Sequence, residues 1–209
     1  MSRRLAAILL AAGVVSLAAI VVGVIGLSQA QTEPSAQPVA HAPASPFEGA
    51  VLPPGVKAPD FALRDENGRR VTMRQYRGKV VVVTFLYSHC KEECPVEAQQ
   101  IKGALDDLGH DVPALSVSVD PPGDRPASVK AFNRKMEMTG RLRWVLGGVT
   151  ELRKLWRGFA IVPQSRDQEH MARIVLIDRK GRQRIGFPAS QTTPERLAHD
   201  IRALEREPS

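Results

Sequence analysis

Apolar and polar positions follow two alternating patterns between about residue 79 and residue 159. Two continuous apolar runs, "KVVVVTFLY" and "VPALSVSVD", are rich in β-branched residues and predict strands buried on both faces of a sheet. Each run precedes a stretch that predicts a helix with one buried face, "PVEAQQIKGALDDLG" and "DRPASVKAFNRKM". A third strand, "LRWVLGG", and a third helix, "VTELRKLWRGF", continue the series. This alternation predicts an α/β domain.

Shorter patterns lie on either side of this series. The segments "APDFALRD" and "ENGRRVTM" predict two short strands joined by an Asn67-Gly68 turn. Downstream, "MARIVLID" and "RQRIGFP" predict an antiparallel hairpin, and "TPERLAHDIRALERE" predicts a closing helix that starts after Thr193. A central mixed sheet flanked by helices in this order fits a thioredoxin-like domain over residues 56–209.

The first 27 residues form a separate segment. Arg3 and Arg4 precede an uncharged apolar run from Leu5 to Leu27, which at about 1.5 Å per residue is long enough to cross a bilayer core of about 30 Å. A cleaved signal peptide is the alternative, with small residues at Ser28 and Ala30, but its apolar core is shorter, about 7 to 15 residues. Because the arginines stay in the cytoplasm, we predict a single-pass anchor in a bacterial-type inner membrane with the domain on the periplasmic side.

Residues 28–55 change the composition to Ala, Pro, Gln and Ser. Such a stretch buries too little apolar surface to offset its ordering entropy, which predicts a Pro-stiffened tether. The net charge of +7 falls on residues 56–209, because two Arg and two Glu cancel before that point. The cations are scattered and aromatic residues make up only 5% of the chain, so a nucleic-acid partner is not predicted.

The segment "YSHCKEECPVE" contains both cysteines of the chain, Cys90 and Cys94, between the first central strand and its helix. A disulfide between them closes a loop of about five residues and contributes only about 2 kcal/mol, so a purely structural role is not favoured. Pro95 predicts that Cys94 caps the helix, where the helix dipole lowers a thiol pKa. Thioredoxin-type reductases, haem sites and iron-sulfur sites have other spacings or ligand numbers. Two thiolates suit a soft ion such as Cu(I), completed by an imidazole.

Five histidines are candidates for that imidazole. His89 directly precedes Cys90, and neighbours in an extended chain point to opposite sides, which disfavours joint ligation. His170 stands where the loop "PQSRDQEH" enters the predicted hairpin, so it is the candidate ligand, with a solvated loop residue as the alternative. Solvent exposure is predicted for the other three, His41, His110 and His199. Packing rather than metal binding is predicted for the methionines considered, Met136, Met138 and Met171.

The motifs together resemble those of the Sco/SenC family. "TFLYSHCKEECP" resembles the family's strand followed by Cys-x-x-x-Cys-Pro, and "SVSVDPPGDRPASVKAF" resembles its strand that ends in Asp-Pro and leads into a helix. "EHMARIVLIDRKGR" is similar to its His followed by a strand and a turn glycine. The resemblance covers nearly all of residues 56–206. It implies a membrane-tethered, thioredoxin-like copper chaperone that helps assemble the binuclear copper site of cytochrome c oxidase.

The resemblance also implies the ligands and the partner. One copper ion per domain, as Cu(I) or Cu(II), is expected to bind Cys90, Cys94 and His170, and a copper-accepting subunit of a terminal oxidase is the expected partner. Family members commonly have Pro-Asp and an aliphatic residue between the cysteines, whereas Lys91, Glu92 and Glu93 stand here. This departure leaves open a paralogue that serves another copper enzyme, or a mainly redox role.

A second hypothesis uses the same two cysteines without metal. As a redox-active pair, Cys90 and Cys94 suit a periplasmic thiol-disulfide oxidoreductase that acts on a copper-enzyme partner and is itself served by a thiol-reducing partner. A metallochaperone is favoured over an enzyme. A peroxidase of the same fold is the third hypothesis, but the Pro- and Thr-containing loop of such enzymes is not found before Cys90.

Overall fold

A computed structural model describes residues 45–163 and 173–208 of the chain. The strands are β1 Ala50–Val51, β2 Ala62–Arg64, β3 Arg70–Thr72, β4 Val81–Leu86, β5 Ala114–Ser118, β6 Leu142–Val145, β7 Arg173–Ile177 and β8 Gln183–Pro188. The helices are α1 Glu93–Leu108, α2 Pro126–Lys135, α3 Val149–Gly158 and α4 Pro194–Arg206, with short 3-10 helices at Met73–Tyr76 and Ala189–Gln191. The predicted order of strands and helices is confirmed in this part of the chain.

The main sheet is mixed, as predicted. Its strand order is β1-β8-β7-β4-β5-β6, and β2 pairs with β3 in a separate hairpin. Strands β4, β5 and β6 are parallel, whereas β7 runs antiparallel to both β4 and β8. Leu86 at the end of β4 pairs with Ser118 at the end of β5, so the segments that follow these strands leave the sheet at the same edge.

Both faces of the sheet are covered, which explains why β4 and β5 are apolar without alternation. All six residues of β4 are buried. One face packs against α1, α2 and α4, and the other against α3 and the β2-β3 hairpin. A fully buried Leu or Phe side chain contributes about 1.5–3 kcal/mol, so these two layers provide the main driving force for folding and fix the end of β4 in place.

The described domain begins before residue 56, inside the segment predicted as a tether. Backbone N–H groups of Glu48 and Gly49 donate hydrogen bonds of 2.8 and 2.9 Å to the buried carboxylate of Asp200 in α4. Strand β1 then pairs with the edge of β8. These contacts provide hydrogen-bond partners for the backbone of this segment. Residues 47–52 therefore belong to the domain, although their composition resembles that of a linker.

Membrane insertion was predicted for a segment outside the described range. None of the helices within residues 45–163 and 173–208 is long and apolar enough to span a bilayer. The predicted anchor Leu5–Leu27 and His41 in the tether both lie before residue 45.

Candidate metal and thiol site

The two cysteines lie where β4 leads into α1, with Cys90 in the connecting turn and Cys94 in the first turn of the helix. The Cys90 N–H donates to the Tyr87 carbonyl at 3.2 Å, which closes the chain back on the end of the strand. The Cys94 N–H donates to Cys90 Sγ, also at 3.2 Å. Cys94 is completely buried among apolar side chains of the core, whereas Cys90 is half-buried and reaches the surface. One sulfur is therefore accessible to a partner and the other lies behind it.

The helix begins two residues earlier than predicted. Glu92 is the N-cap residue and α1 starts at Glu93, so Cys94 lies inside the first turn and the prediction that it caps the helix is wrong. The first turn tolerates Pro95 because its missing N–H is one of the groups that has no partner within a helix. Cys90 acts as a side-chain cap of the helix, because its sulfur accepts a hydrogen bond from one of these N–H groups, that of Cys94.

This arrangement separates the acidities of the two thiols. A hydrogen bond from the Cys94 thiol, aided by backbone N–H groups of Cys94 and Glu92 and opposed by burial, lowers the pKa of Cys90 from 9.0 to about 5. The same hydrogen bond, together with burial, raises the pKa of Cys94 above its ordinary range. The pair thus shares one proton near neutral pH, with the thiolate on Cys90, whereas the sequence predicted the lowered pKa for Cys94.

Asp124 holds the turn from the opposite side. Its buried carboxylate accepts hydrogen bonds from the Ser88 backbone N–H at 2.7 Å and from the Ser118 hydroxyl at 2.6 Å. Because Ser118 ends β5 and Ser88 lies two residues before Cys90, Asp124 fixes the turn to the neighbouring strand. Nothing in the sequence pattern around Asp124 indicated this role.

Replacing Asp124 by Ala is expected to destabilise the domain by about 2–4 kcal/mol, because a buried hydroxyl and a half-buried backbone N–H lose their acceptor. Urea unfolding monitored by tryptophan fluorescence measures this loss. Asp124→Asn is the matched control, since its side-chain oxygen can still accept from Ser88, and it should lose less than half as much. Equal losses for the two variants would contradict the positioning role.

Glu97 is a buried carboxyl beneath the cysteine turn. Its side chain is almost fully buried, and the Thr84 hydroxyl of β4 donates a short hydrogen bond to Oε1. Its other oxygen, Oε2, has no hydrogen-bond partner among the described residues. Burial, reinforced by the nearby charges of Glu93 and Cys90, raises the pKa of Glu97 from 4.5 to about 8. The side chain is therefore largely protonated at neutral pH.

The position of Glu97 along α1 is itself a sequence signal for a buried carboxyl. Residue 97 is four positions before Ile101 and three after Cys94, and residues at these spacings share one face of a helix. That face of α1 is the buried one. An acidic residue in an apolar stripe is rarely left without a partner, so the position itself indicates a carboxyl close to the reactive turn.

The structure describes three of the five histidines. His89 is exposed, with Nδ1 3.2 Å from the Ser88 hydroxyl. His110 and His199 are partly exposed and lie 2.9 Å from Glu205 and Asp200 respectively, which confirms that they are surface residues. Among the methionines, Met136 and Met138 are buried in the core, as predicted. Met171 and the candidate ligand His170 lie outside the described residues.

The donor set within the described ranges consists of two sulfurs. Residues 45–163 and 173–208 contain no group of three or more His, Cys, Asp or Glu side chains that could hold a metal ion. Two adjacent sulfurs, one of them a thiolate at neutral pH, fit a soft ion such as Cu(I) better than a hard one. Strand β7 pairs Ile174 with Thr84, so the described chain enters β7 at the edge where β4 ends.

Comparisons with known proteins agree with this fold. The model of the SCO1/SenC family matches residues 52–206. SenC of Rhodobacter capsulatus is 29% identical over 156 residues, which cover 68% of this chain and 67% of SenC. The solved structure of Bradyrhizobium japonicum ScoI with copper bound is 31% identical, with a TM-score of 0.60, and the match covers 71% of this chain and 99% of that chain. Several other SCO relatives are matched over 33–41% of their own length.

A shorter similarity concerns the peroxidase hypothesis. Alkyl hydroperoxide reductase E of Mycobacterium tuberculosis is 41% identical over 70 residues, but these cover only 32% of this chain and 46% of that enzyme. The family match, by contrast, extends over most of the described domain. The mixed sheet flanked by helices, shared with the solved Sco structures, confirms the predicted thioredoxin-like fold.

Proposed function

The chain belongs to the SCO1/SenC family, and from this premise we propose that it is a membrane-tethered copper-binding assembly factor for cytochrome c oxidase. One copper ion binds Cys90, Cys94 and His170, and the copper-accepting subunit of a terminal oxidase receives it. The observation that carries the proposal is the sulfur pair at the sheet edge, with an accessible thiolate at Cys90 and a buried thiol within hydrogen-bond reach of it. The entry of β7 at the same edge supports His170 as the third ligand.

The chain's own groups set the conditions for loading and release. Cys90 needs no proton removal near neutral pH, because its pKa is about 5. Cys94 must lose a proton before it can bind a metal, and that proton leaves from a buried position. Three ligands leave a coordination position for a ligand of the acceptor, so transfer proceeds by exchange of one ligand at a time with Cys90 on the accessible side.

A copper titration tests the ligand assignment. The reduced full-length chain in detergent is given one equivalent of Cu(I) and then challenged with a chelator of graded strength. Wild type should retain about one ion, Cys90→Ser and Cys94→Ser should retain none, and His170→Ala should bind at least roughly 10- to 100-fold more weakly, since the loss of a group that only supports a metal ligand already costs that much. His110→Ala, at an exposed histidine, is the matched control and should equal wild type. Retention by His170→Ala equal to that of wild type would remove His170 from the site.

The anchor is tested separately by fractionation. We expect the full chain in the membrane fraction of bacterial cells and a chain lacking residues 1–27 in the soluble fraction. A full chain recovered from the soluble fraction would contradict the tether.

The unequal thiols also support the second candidate, thiol-disulfide exchange without metal. A low-pKa, accessible Cys90 is suited to attack a partner disulfide, and Cys94 behind it is placed to resolve the mixed disulfide. Reduction of a disulfide on the oxidase subunit at an unchanged rate in excess copper chelator would favour this candidate. Loss of transfer on chelation would favour copper carriage.

A further inference from the structure

A mostly apolar groove lies beside the reactive thiol. It has a volume of about 310 Å³ and separates the cysteine turn from α2; its wall includes Cys90, Pro95, Ala131, Phe132 and Met136. We call it the α2 groove. Phe132 and Met136 are buried and form its floor, and the Gln99 amide donates to the Met136 carbonyl at 2.9 Å, which ties the end of α2 to α1. The groove is therefore a fixed feature of the packed domain.

The α2 side of the groove is cationic. Helix α2 contains three lysine or arginine side chains beyond its first turn, Lys130, Arg134 and Lys135, and no acidic residue. Lys135 lines the groove, and no Asp or Glu does. Within the described parts of the chain, none of these three cations forms an ion pair with an Asp or Glu side chain.

We propose that the α2 groove binds an extended segment of the partner protein that carries the exchanging cysteine, with an apolar side chain beside that cysteine and acidic residues over α2. The inference rests on the proposed function, in which a cysteine of the partner protein exchanges at Cys90 and must therefore come within bonding distance of its sulfur. The groove shares a wall with that thiol, so the residue next to the partner cysteine enters it. A second copy of this chain is a poor occupant, because its own net charge is +7 and opposes docking on a cationic surface.

The exchange that the groove would promote is balanced in sulfur and electrons. The Cys90 thiolate attacks a partner disulfide, so a Cys90–partner S–S bond forms, the partner S–S bond breaks, and the released partner sulfur takes up a proton. Cys94 then loses its proton and attacks Cys90 Sγ, which forms the Cys90–Cys94 disulfide and releases the second partner thiol. Two electrons pass from the dithiol of this chain to the partner disulfide.

Activated peptides test the proposal in a single turnover. Ten-residue peptides carry one central cysteine as a mixed disulfide with 2-thiopyridine, and release of the thiopyridone reports the first attack by the reduced full-length chain in detergent. One peptide has Leu beside the cysteine and three Glu, the second replaces Glu with Lys, and the third replaces Leu with Ser. The Glu peptide should react at least about tenfold faster than the Lys peptide, because losing three exposed charge pairs at about 0.5 kcal/mol each accounts for about tenfold and like-charge repulsion adds to it. Loss of the Leu should cost roughly another tenfold.

Variants locate the effect in the groove. Ala131→Trp fills the groove from an exposed position and should abolish the preference for Leu, and Lys135→Glu should lower the preference for the Glu peptide at least threefold. Arg153→Glu, an exposed reversal in α3 on the opposite face of the sheet, is the matched control and should behave as wild type. The small neutral disulfide 4,4′-dithiodipyridine should react within twofold in all four proteins.

Two outcomes overturn the proposal. Wild-type rates that agree within twofold for all three peptides would show that the groove selects nothing. An Ala131→Trp variant that slows the peptides and dithiodipyridine equally would show blocked access to Cys90 rather than loss of docking. Failure of the proposed function looks different, because absence of copper retention by wild type leaves the peptide ratios unchanged.

Discussion

Replacing Cys94 by Ala should raise the pKa of Cys90 from about 5 toward the ordinary value of a thiol, because the hydrogen bond from Cys94 is the largest cause that lowers it. At pH 5 about half of the wild-type Cys90 is thiolate, against about one part in 3,000 for a thiol of pKa 8.5. The more basic thiolate is the stronger nucleophile, which recovers roughly 40-fold for a Brønsted slope of about 0.45. The variant should therefore react up to roughly 40-fold more slowly at pH 5 and nearly as fast as wild type at pH 7.

Stopped-flow reaction with 4,4′-dithiodipyridine between pH 4 and pH 9 measures this shift. Wild type should give an inflection near pH 5 that moves upward in Cys94→Ala. Cys90→Ala is the matched control: the remaining thiol at 94 is buried and should react slowly throughout. A Cys94→Ala profile that coincides with that of wild type would show that the remaining donors, the backbone N–H groups and the Tyr87 side chain, set the acidity of Cys90.

Replacing Glu97 by Gln should remove a pH-dependent contribution to stability. Between an ordinary pKa of 4.5 and the folded value of about 8, the folded chain keeps a proton that the unfolded chain releases. The free energy of unfolding therefore decreases as the pH rises through this window, and the benefit of the bound proton, complete below 4.5, is lost above 8. A Gln cannot ionise, so the free energy of unfolding of Glu97→Gln, relative to that of wild type, should increase by a few kcal/mol from pH 5 to pH 9.

Urea unfolding at pH 5, 7 and 9 is the measurement, and the difference between variant and wild type at each pH is the quantity to compare. This difference matters because Cys90 acts in the opposite sense: its pKa falls from 9.0 to about 5, so stability from Cys90 increases over the same range. Glu195→Gln, the same substitution at an exposed position in α4, serves as the control and should change little. A constant offset for Glu97→Gln at all three pH values would show that Glu97 has the same pKa in both states.

Most of the fold follows from local sequence patterns. The continuous apolar run of β4 has a single stable placement, between two helical layers, and the helix pattern after it predicts α1 to within two residues at its start. The N-terminal residues 47–52 were not predicted, because their order depends on Asp200, which is about 150 residues away in the chain. Contacts at that separation leave no trace in composition.

The site was predictable in its elements and not in its electrostatics. Spacing placed Cys90 and Cys94 between the first central strand and its helix; the structure confirms this for Cys90 and places Cys94 in the first turn of the helix. Because α1 begins at Glu93 rather than at Pro95, the Cys94 N–H donates to Cys90 Sγ. The sequence predicted a later helix start and therefore assigned the lowered pKa to Cys94 instead of Cys90. His170 as a ligand stays a prediction, because it lies outside the described residues.

The entry of the chain through Glu48 and Gly49 has a consequence for orientation. Strand β1 runs antiparallel to β4 by way of β8 and β7, with Ala50 in register with Gly186, Gly186 with Val175 and Val175 with Val83. The beginning of β1 therefore lies at the same edge of the sheet as the end of β4, three strand spacings or about 14 Å to the side. The segment that enters the domain and the reactive thiol therefore share one edge of the sheet, and a partner that reaches Cys90 approaches the domain on the side where the chain enters it.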